Sequence, residues 1–408
     1  MSKLDALVAQ LDDSQWWPSA RIAAAQLTQR DALLAHAVAS VPHYEGIFDW
    51  AGVPILTRDA LIAAGPRLLS RAYPASHGPT EEIMTSRTTG EPVRVRGTGV
   101  TSLWWEALTL REHRWHGRDL HAHLAAIRYT GAHAPPPDGL RVRGWGPATA
   151  AIAPDAPMSV LSIASTTDEQ LAWLAREAPA YLLIYPSALD ALLRRGLHLP
   201  SLRQIRTISE ALSPSTRSLS AVPIVDTYSA QEVGTIAMQC PTGTHYHVQS
   251  ERLLVEILDD SGAPCAPGET GRVVITDLHN FATPILRYEI GDYATVGEPC
   301  ACGRGLPVLT RVLGRRRGML TYPDGRTTWP VFTIACRNAA RYRELQLVQP
   351  ALDRLIVRVV PLPEVAVDRA ALAAALRATF AHDFTIDVEL VETLGRTPAG
   401  KLEEFVSL

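Results

Sequence analysis

The chain begins with a helical pattern. Apolar positions recur every three or four residues through KLDALVAQL and again through an alanine- and leucine-rich run, the spacing of one buried helix face. PILTRDALIAA continues it, and Thr57 stands where a helix N-cap is expected. The segment TSLWWEALTLREHRWHGRDLHAHLAAIR also reads as one long helix, with Trp104, Trp105 and Trp115 along it. GAHAPPPDG, Gly131 to Gly139, reads as a surface loop.

From Leu161 the pattern alternates. DEQLAWLAREAP is a helix, YLLIYPS a buried strand and turn, and ALDALLRRG a helix ending at Gly196; QIRTIS and PIVDTYS are strands. Helices set between short apolar runs predict βαβ units and an α/β fold with mostly parallel sheets. GETGRVVITDL and TPILRYEIGDYATV predict antiparallel strands of a β-rich subdomain. The pattern breaks at Arg315-Arg316-Arg317-Gly318. Two strands, the helix RAALAAALRATF and a further strand follow, a small α+β unit. The expected organisation is therefore a large domain over residues 1–315 and a small mobile domain over residues 316–408.

Bulk properties narrow the classes. The chain has 408 residues, 47% hydrophobic and 20% charged, enough for more than one core. The net charge of −3 gives no basis for a nucleic-acid partner. No apolar run approaches the ~18 residues that span a bilayer. No secretory leader is read at the N-terminus, so the cytoplasm and reduced thiols are expected.

Candidate chemistry lies in separated motifs. Thr85, Ser86, Thr88, Thr89 and Gly90 crowd one turn around Arg87, and hydroxyls with backbone N–H groups suit polyphosphate oxygens. Cys240, His247, Cys300 and Cys302 form a possible Cys3His zinc set, with His245 a competing ligand. Cys265 and Cys336 read as unpaired thiols. The three tryptophans suit core packing better than a substrate pocket, and His116, His121 and His123 read as helix-surface residues.

Taken together and in order, these motifs carry a resemblance. TSRTTGEPVRV resembles the phosphate loop of the adenylate-forming (acyl-CoA synthetase and ligase) superfamily. DTYSAQEVG, Asp226 to Gly234, resembles its Tyr-Gly-x-x-Glu segment, and RYEIGD, Arg287 to Asp292, its Arg-Tyr-x-x-Gly-Asp segment. LGRRRG resembles its hinge, and RTPAGK, Arg396 to Lys401, its C-terminal Gly-Lys. CxCGR and the QCP…H…E run resemble the phenylacetate–CoA ligase branch and its capsule-biosynthesis-type relatives.

The resemblance implies ATP-dependent activation of an aromatic or apolar carboxylic acid as an acyl-adenylate, then transfer to the thiol of CoA. It leaves open an amine or a carrier-protein thiol as acceptor, and a non-catalytic nucleotide-binding scaffold. It implies Lys401 and Glu232 as catalytic residues, Glu232 also as the ligand of Mg2+, and Asp292 for the ribose. Tyr228, Ser229, Ser209, Glu210 and Ala211 would line the nucleotide, and Arg315 would reach ribose or phosphate. This sequence departs from the family at Arg87, where a glycine is usual, and at Glu91, where a lysine is usual. The hinge acids are replaced by Arg316, Arg317 or Gly318.

Overall fold

In a computed structural model, residues 2–84, 93–130, 133–315, 319–328, 330, 336, 339–340, 342–362, 366–396, 402 and 405–407 are described. Arg315 and Met84 are described for their backbone only. The chain divides into two compact units of interleaved segments: residues 1–124, 141–158 and 225–313, and residues 125–140, 159–224 and 314–408.

The first unit opens with helix α1, Lys3–Ser14. Ser2 and Asp5 cap it reciprocally: each side chain accepts from the other's backbone N–H, satisfying donors that a helix start leaves over. Helix α2, Ser19–Ser40, follows Pro18. Helix α3, Arg58–Ala64, starts behind Thr57, whose hydroxyl accepts from Ala60 N as its position suggested. Helix α4, Gly99–Trp115, packs Trp104, Ala107 and Leu108 against Val8 and Leu11 of α1.

The same unit carries a run of adjacent strands in the order Leu253–Leu258, Thr270–Asp277, Tyr288–Val296, Val308–Arg315, Tyr246–Val248, Gly234–Gln239 and Ile224–Ala230. The ladders resolved between these strands run antiparallel. Leu56 adds a rung to them: its N–H donates to Arg287 O at 2.9 Å, and its carbonyl accepts from Glu289 N at 3.0 Å. The segment just before α3 is thereby stitched to the strand that carries Asp292.

The second unit holds the alternating part of the sequence. The strands Gln204–Ile208, Tyr181–Ile184, Leu124–Arg128 and Pro157–Ser162 lie side by side in that order, and the first two pair in parallel. The helices Thr167–Glu177 and Pro186–Arg194 connect them, over a core of Leu161, Trp173, Leu182 and Ile205. Near the C-terminus the strands Thr385–Leu390, Arg354–Pro361, Tyr342–Ala351 and Phe405–Ser407 form a second sheet. The helix Arg369–Phe380 buries Leu372 and Leu376 in the same core as Leu347 and Val357.

One reading of the sequence is corrected. The long helix expected from Thr101 to Arg128 stops at Trp115, and LAAIR is a buried strand. Gly117 takes a left-handed φ of 57° just past the helix C-cap, as helix-ending glycines do. His116 is that C-cap and His121 and His123 lie beyond it, so none stands on a helix surface. The α/β class and the antiparallel subdomain stand as expected. Among the described residues no helix is long and apolar enough to cross a membrane.

Candidate functional site

The turn between the strands Ile224–Ala230 and Gly234–Gln239 carries the DTYSAQEVG motif. The pairing slips between Tyr228 and Ser229. A slip of this kind re-aims the side chains that follow. Tyr228 is buried and donates its hydroxyl to Asp292 Oδ2 at 2.9 Å. Two motifs separated by 64 positions thus meet at one hydrogen bond.

Glu232 sits in the turn with a side chain only 7% exposed, and Arg58 Nη1 stands 3.9 Å from its Oε1. A buried carboxylate is costly unless a cation or donors offset it. Gly234 closes the turn at φ 77°, and a Cβ there would lie 2.8 Å from Arg252 Nη1. A side chain is excluded at Gly234 both by backbone conformation and by the buried Arg252–Asp277 ion pair behind it.

Arg287 opens the RYEIGD strand in a left-handed conformation, φ 47°. Its guanidinium forks onto Glu256, Nε to Oε2 and Nη2 to Oε1, both at 3.2 Å. Its Nη1 donates to Val53 O at 3.3 Å. A bidentate pair of this kind fixes direction as well as charge.

The other candidates fall elsewhere. Ser209 is exposed, with φ 73°. Glu210 Oε2 accepts from Ser187 N at 2.9 Å, in the first turn of the helix Pro186–Arg194, the favoured end for a carboxylate. Ala211 is exposed. Arg315 ends its strand. Thr85, Ser86, Thr88, Thr89, Gly90 and Lys401 lie outside the described residues, as do Arg87, Glu91 and the hinge residues 316–318.

The cysteine and histidine set gathers in the first unit. The donor atoms of Cys240, His245, His247 and Cys300 all lie within 4.8 Å of one another. Cys302 Sγ is 3.4 Å from His247 Nε2, and Cys240 Sγ is 3.9 Å from Cys300 Sγ. Two thiolates on one tetrahedral zinc, each at about 2.3 Å, stand about 3.8 Å apart. His245 Nε2 approaches Cys300 Sγ at 2.9 Å, closer than two ligands of one ion stand. Burial lowers His247 to about 4, so its ring is neutral at pH 7. Its Nδ1 is 3.4 Å from Leu306 O, an outer contact that orients a ligating ring. Burial pushes Cys300 up to about 11. Cys302 sits below its ordinary value: burial raises it, but hydrogen bonds from Arg304 and contacts with Cys300 and Cys240 together override that. Cys265 and Cys336 are reduced thiols, and Cys336 Sγ stands 3.4 Å from Thr379 Oγ1.

The knuckle Cys300–Gly305 clasps the end of α1. The Arg304 guanidinium lies over Trp16 at 4.6 Å and Trp115 at 4.3 Å, and its Nε donates to Gln15 Oε1 at 2.9 Å. Gly305 donates to Gln15 O at 3.0 Å, and a Cβ there would fall 1.8 Å from Trp17 O. Trp115 meets His247 edge to face, and Trp104 is buried against His279, so both are packing residues. Trp105 is exposed.

Sequence reasoning missed Arg58, and it read Arg304 within CxCGR without assigning it a contact. The first acquires meaning only through the backbone ladder at Leu56, which no local pattern announces. The second was visible beside Cys302, without a sign of its aromatic partners.

No family model matches the chain. A 76-residue stretch, 18% of the chain, is 38% identical to the phenylacetate-coenzyme A ligase of Thermus thermophilus, and covers 17% of that protein. The fold extends the likeness. Over 97% of this chain and 93% of the other, it matches 2-hydroxyisobutyryl-CoA ligase captured in the postadenylation state with 2-HIB-AMP, at TM-score 0.73 and 19% identity. The amide bond synthetase McbA of Marinactinospora thermotolerans matches over 77% of this chain and 66% of its own, at TM-score 0.53 and 19% identity. The fold is that of the adenylate-forming enzymes.

Proposed function

We propose that this protein activates a carboxylic acid with ATP and passes the acyl group to the thiol of CoA. The observation that carries the reading is the meeting of Tyr228 with Asp292 and the burial of Glu232 one turn away, on the fold of enzymes that make acyl-adenylates. In the first step a carboxylate oxygen attacks the α-phosphorus of ATP. The bond to the β-phosphate oxygen breaks and pyrophosphate leaves. In the second, the CoA sulfur attacks the acyl carbon, its proton is lost, and AMP departs with the oxygen that linked it.

The residues divide this work. Asp292, held by Tyr228, accepts hydrogen bonds from the ribose hydroxyls. Glu232 would hold a magnesium ion, a hard cation suited to carboxylate oxygen, which when bound offsets polyphosphate charge. The hydroxyls of residues 85–90 cradle the β- and γ-phosphates. Ser209 to Ala211, Ser229 and Arg315 are assigned to the nucleotide from their motifs. Lys401 supplies the ammonium that draws the substrate carboxylate and α-phosphate together, carried by a C-terminal domain over residues 316–408 that closes and opens as a lid.

The cysteine and histidine cluster fits structural zinc. The two edges of 3.9 and 3.4 Å favour Cys240, His247, Cys300 and Cys302 as ligands, with His245 as the alternative fourth donor and, otherwise, a hydrogen-bond partner of Cys300. Five reduced thiols fit a cytoplasmic protein.

The test is pyrophosphate release with Mg-ATP and a panel of aromatic and aliphatic acids, followed by mass spectrometry after adding CoA, amines or a carrier protein. Acid-dependent pyrophosphate and an acyl-CoA product are expected. The likeness to an amide bond synthetase favours one second reading, transfer to an amine. Pyrophosphate without a CoA conjugate would support that reading, or a carrier-protein acceptor. No pyrophosphate with any acid would support a nucleotide-binding scaffold.

A further inference from the structure

We propose that Arg58 is a polyphosphate-binding residue that shares Glu232 with magnesium, so that the metal binds well only when it arrives with the triphosphate. The inference rests on the assignment of Glu232 under the proposed function.

Arg58 is placed, not adventitious. Leu56 is hydrogen-bonded on both sides to the strand that carries Asp292, Thr57 caps α3, and Arg58 is the first residue of that helix. The backbone is therefore fixed two residues before the guanidinium and by a cap immediately before it. Nη1 stands 3.9 Å from Glu232 Oε1, beyond hydrogen-bond length. The pair attracts through space without the locked, bidentate geometry that Arg287 makes with Glu256. The Arg58 side chain is 25% exposed, against 7% for Glu232. One partner is held inside and the other is partly open to solvent.

Charge then decides what can bind. The Arg58 guanidinium, 3.9 Å away, offsets part of the charge of the Glu232 carboxylate. A free divalent ion at Glu232 meets the guanidinium as well as the carboxylate, and like charges at this range repel. A metal bound to a polyphosphate brings more negative charge than positive. Arg58 then turns from a competitor into a ligand, because a guanidinium matches phosphate oxygens with several donors at once. Its loss should move two affinities in opposite directions. A structural ion pair would move both the same way, or neither.

The test uses the whole 408-residue chain as purified. Electron paramagnetic resonance measures binding of Mn2+ alone, standing in for Mg2+. Calorimetry measures ATP with Mg2+, and AMP. In Arg58→Gln, Mg-ATP should bind about tenfold more weakly, AMP should bind as before, and Mn2+ alone should bind several-fold more tightly. Arg58→Lys should recover part of the Mg-ATP affinity, which confirms that the charge and not the fold was lost. Glu232→Gln should abolish the Mn2+ signal. Parallel losses of ATP and AMP in Arg58→Gln, unchanged ATP affinity, or weaker Mn2+ binding would each overturn the role of Arg58 while leaving the functional reading in place. A wild-type protein that binds neither ATP nor AMP would overturn that reading, and this inference with it.

Discussion

The Cys/His knuckle and the Tyr228–Gly234 turn are both short loops that gather reactive side chains from distant parts of one unit. They do so in opposite ways. In the knuckle the donors face one another, with contacts between Cys240 and Cys300, Cys300 and His245, and Cys302 and His247. In the turn each group faces a neighbour outside the set, Tyr228 toward Asp292 and Glu232 toward Arg58. The first arrangement is closed upon itself and suits an ion that never leaves. The second pairs each buried group with a partner from another element, which suits the ligand that comes and goes under the proposed function. Under the proposed function, stability and catalysis would be lodged in separate places, and substitutions can sort them.

The largest effect is expected in the scaffold shared by both. Arg111 is fully buried and bonds Glu251 through both terminal nitrogens, while Ser14 donates to the same carboxylate at 2.7 Å. Arg111→Met strands a buried carboxylate and should cost about 3–5 kcal/mol of stability, measured by urea unfolding. The pH dependence carries a sign. Burial raises the Glu251 carboxyl, but the Arg111 charge and the hydrogen bonds override it and hold it below its ordinary value. Its contribution is therefore fully present above the unfolded carboxylate range, about pH 4.3, and is lost as pH falls through the lower folded value. Glu251→Gln should flatten the fall in stability measured between neutral and acid pH.

Metal removal tests the closed region. A zinc ion held at a thousandfold over its dissociation constant contributes about 4 kcal/mol. Chelation, or Cys300→Ser, should lower the melting temperature and alter the fluorescence of Trp16 and Trp115, which flank Arg304. ATP affinity measured below the melting transition should stay within about twofold of the native value. A large loss of ATP affinity in a still-folded protein would erase the distinction between the two regions.

Two further substitutions, with Lys3→Ala as a control, test the proposed chemistry. The chain has two lysines, Lys3 and Lys401. Lys401→Ala should slow adenylate formation about a hundredfold with the melting temperature unchanged, while Lys3→Ala should leave the rate alone. Near-normal pyrophosphate release from Lys401→Ala would remove Lys401 from the chemistry. Tyr228→Phe, which deletes one hydrogen bond to Asp292, should weaken ATP binding by about fivefold, and calorimetry resolves a change of that size.

The sequence disclosed the fold where residue type and period agreed. The runs YLLI and QIRTI between amphipathic helices could hardly be other than parallel strands. It misled at Leu124–Arg128, because leucine and alanine are strong helix formers and only burial on both faces makes LAAIR a strand. The Cys/His cluster was legible because thiols and imidazoles announce their chemistry, though the spacing alone could not rank His245 against His247. Tyr228, Glu232 and Asp292 were legible as motifs, while the contact joining Tyr228 to Asp292 was not. Glu210 was legible as part of a motif, but its bond to the backbone of Ser187 was not. Arg58 was invisible, since an arginine at a helix start has no signature until its neighbours are known.

The rung at Leu56 has a consequence for how the molecule is made. The residues it pairs with, Arg287 and Glu289, leave the ribosome more than two hundred positions later. The strap that carries Arg58 must therefore wait, unpaired, while most of the polypeptide is synthesised. Contacts so distant along the chain slow the final assembly, and a nascent chain halted before residue 287 would present that strap to proteases and chaperones.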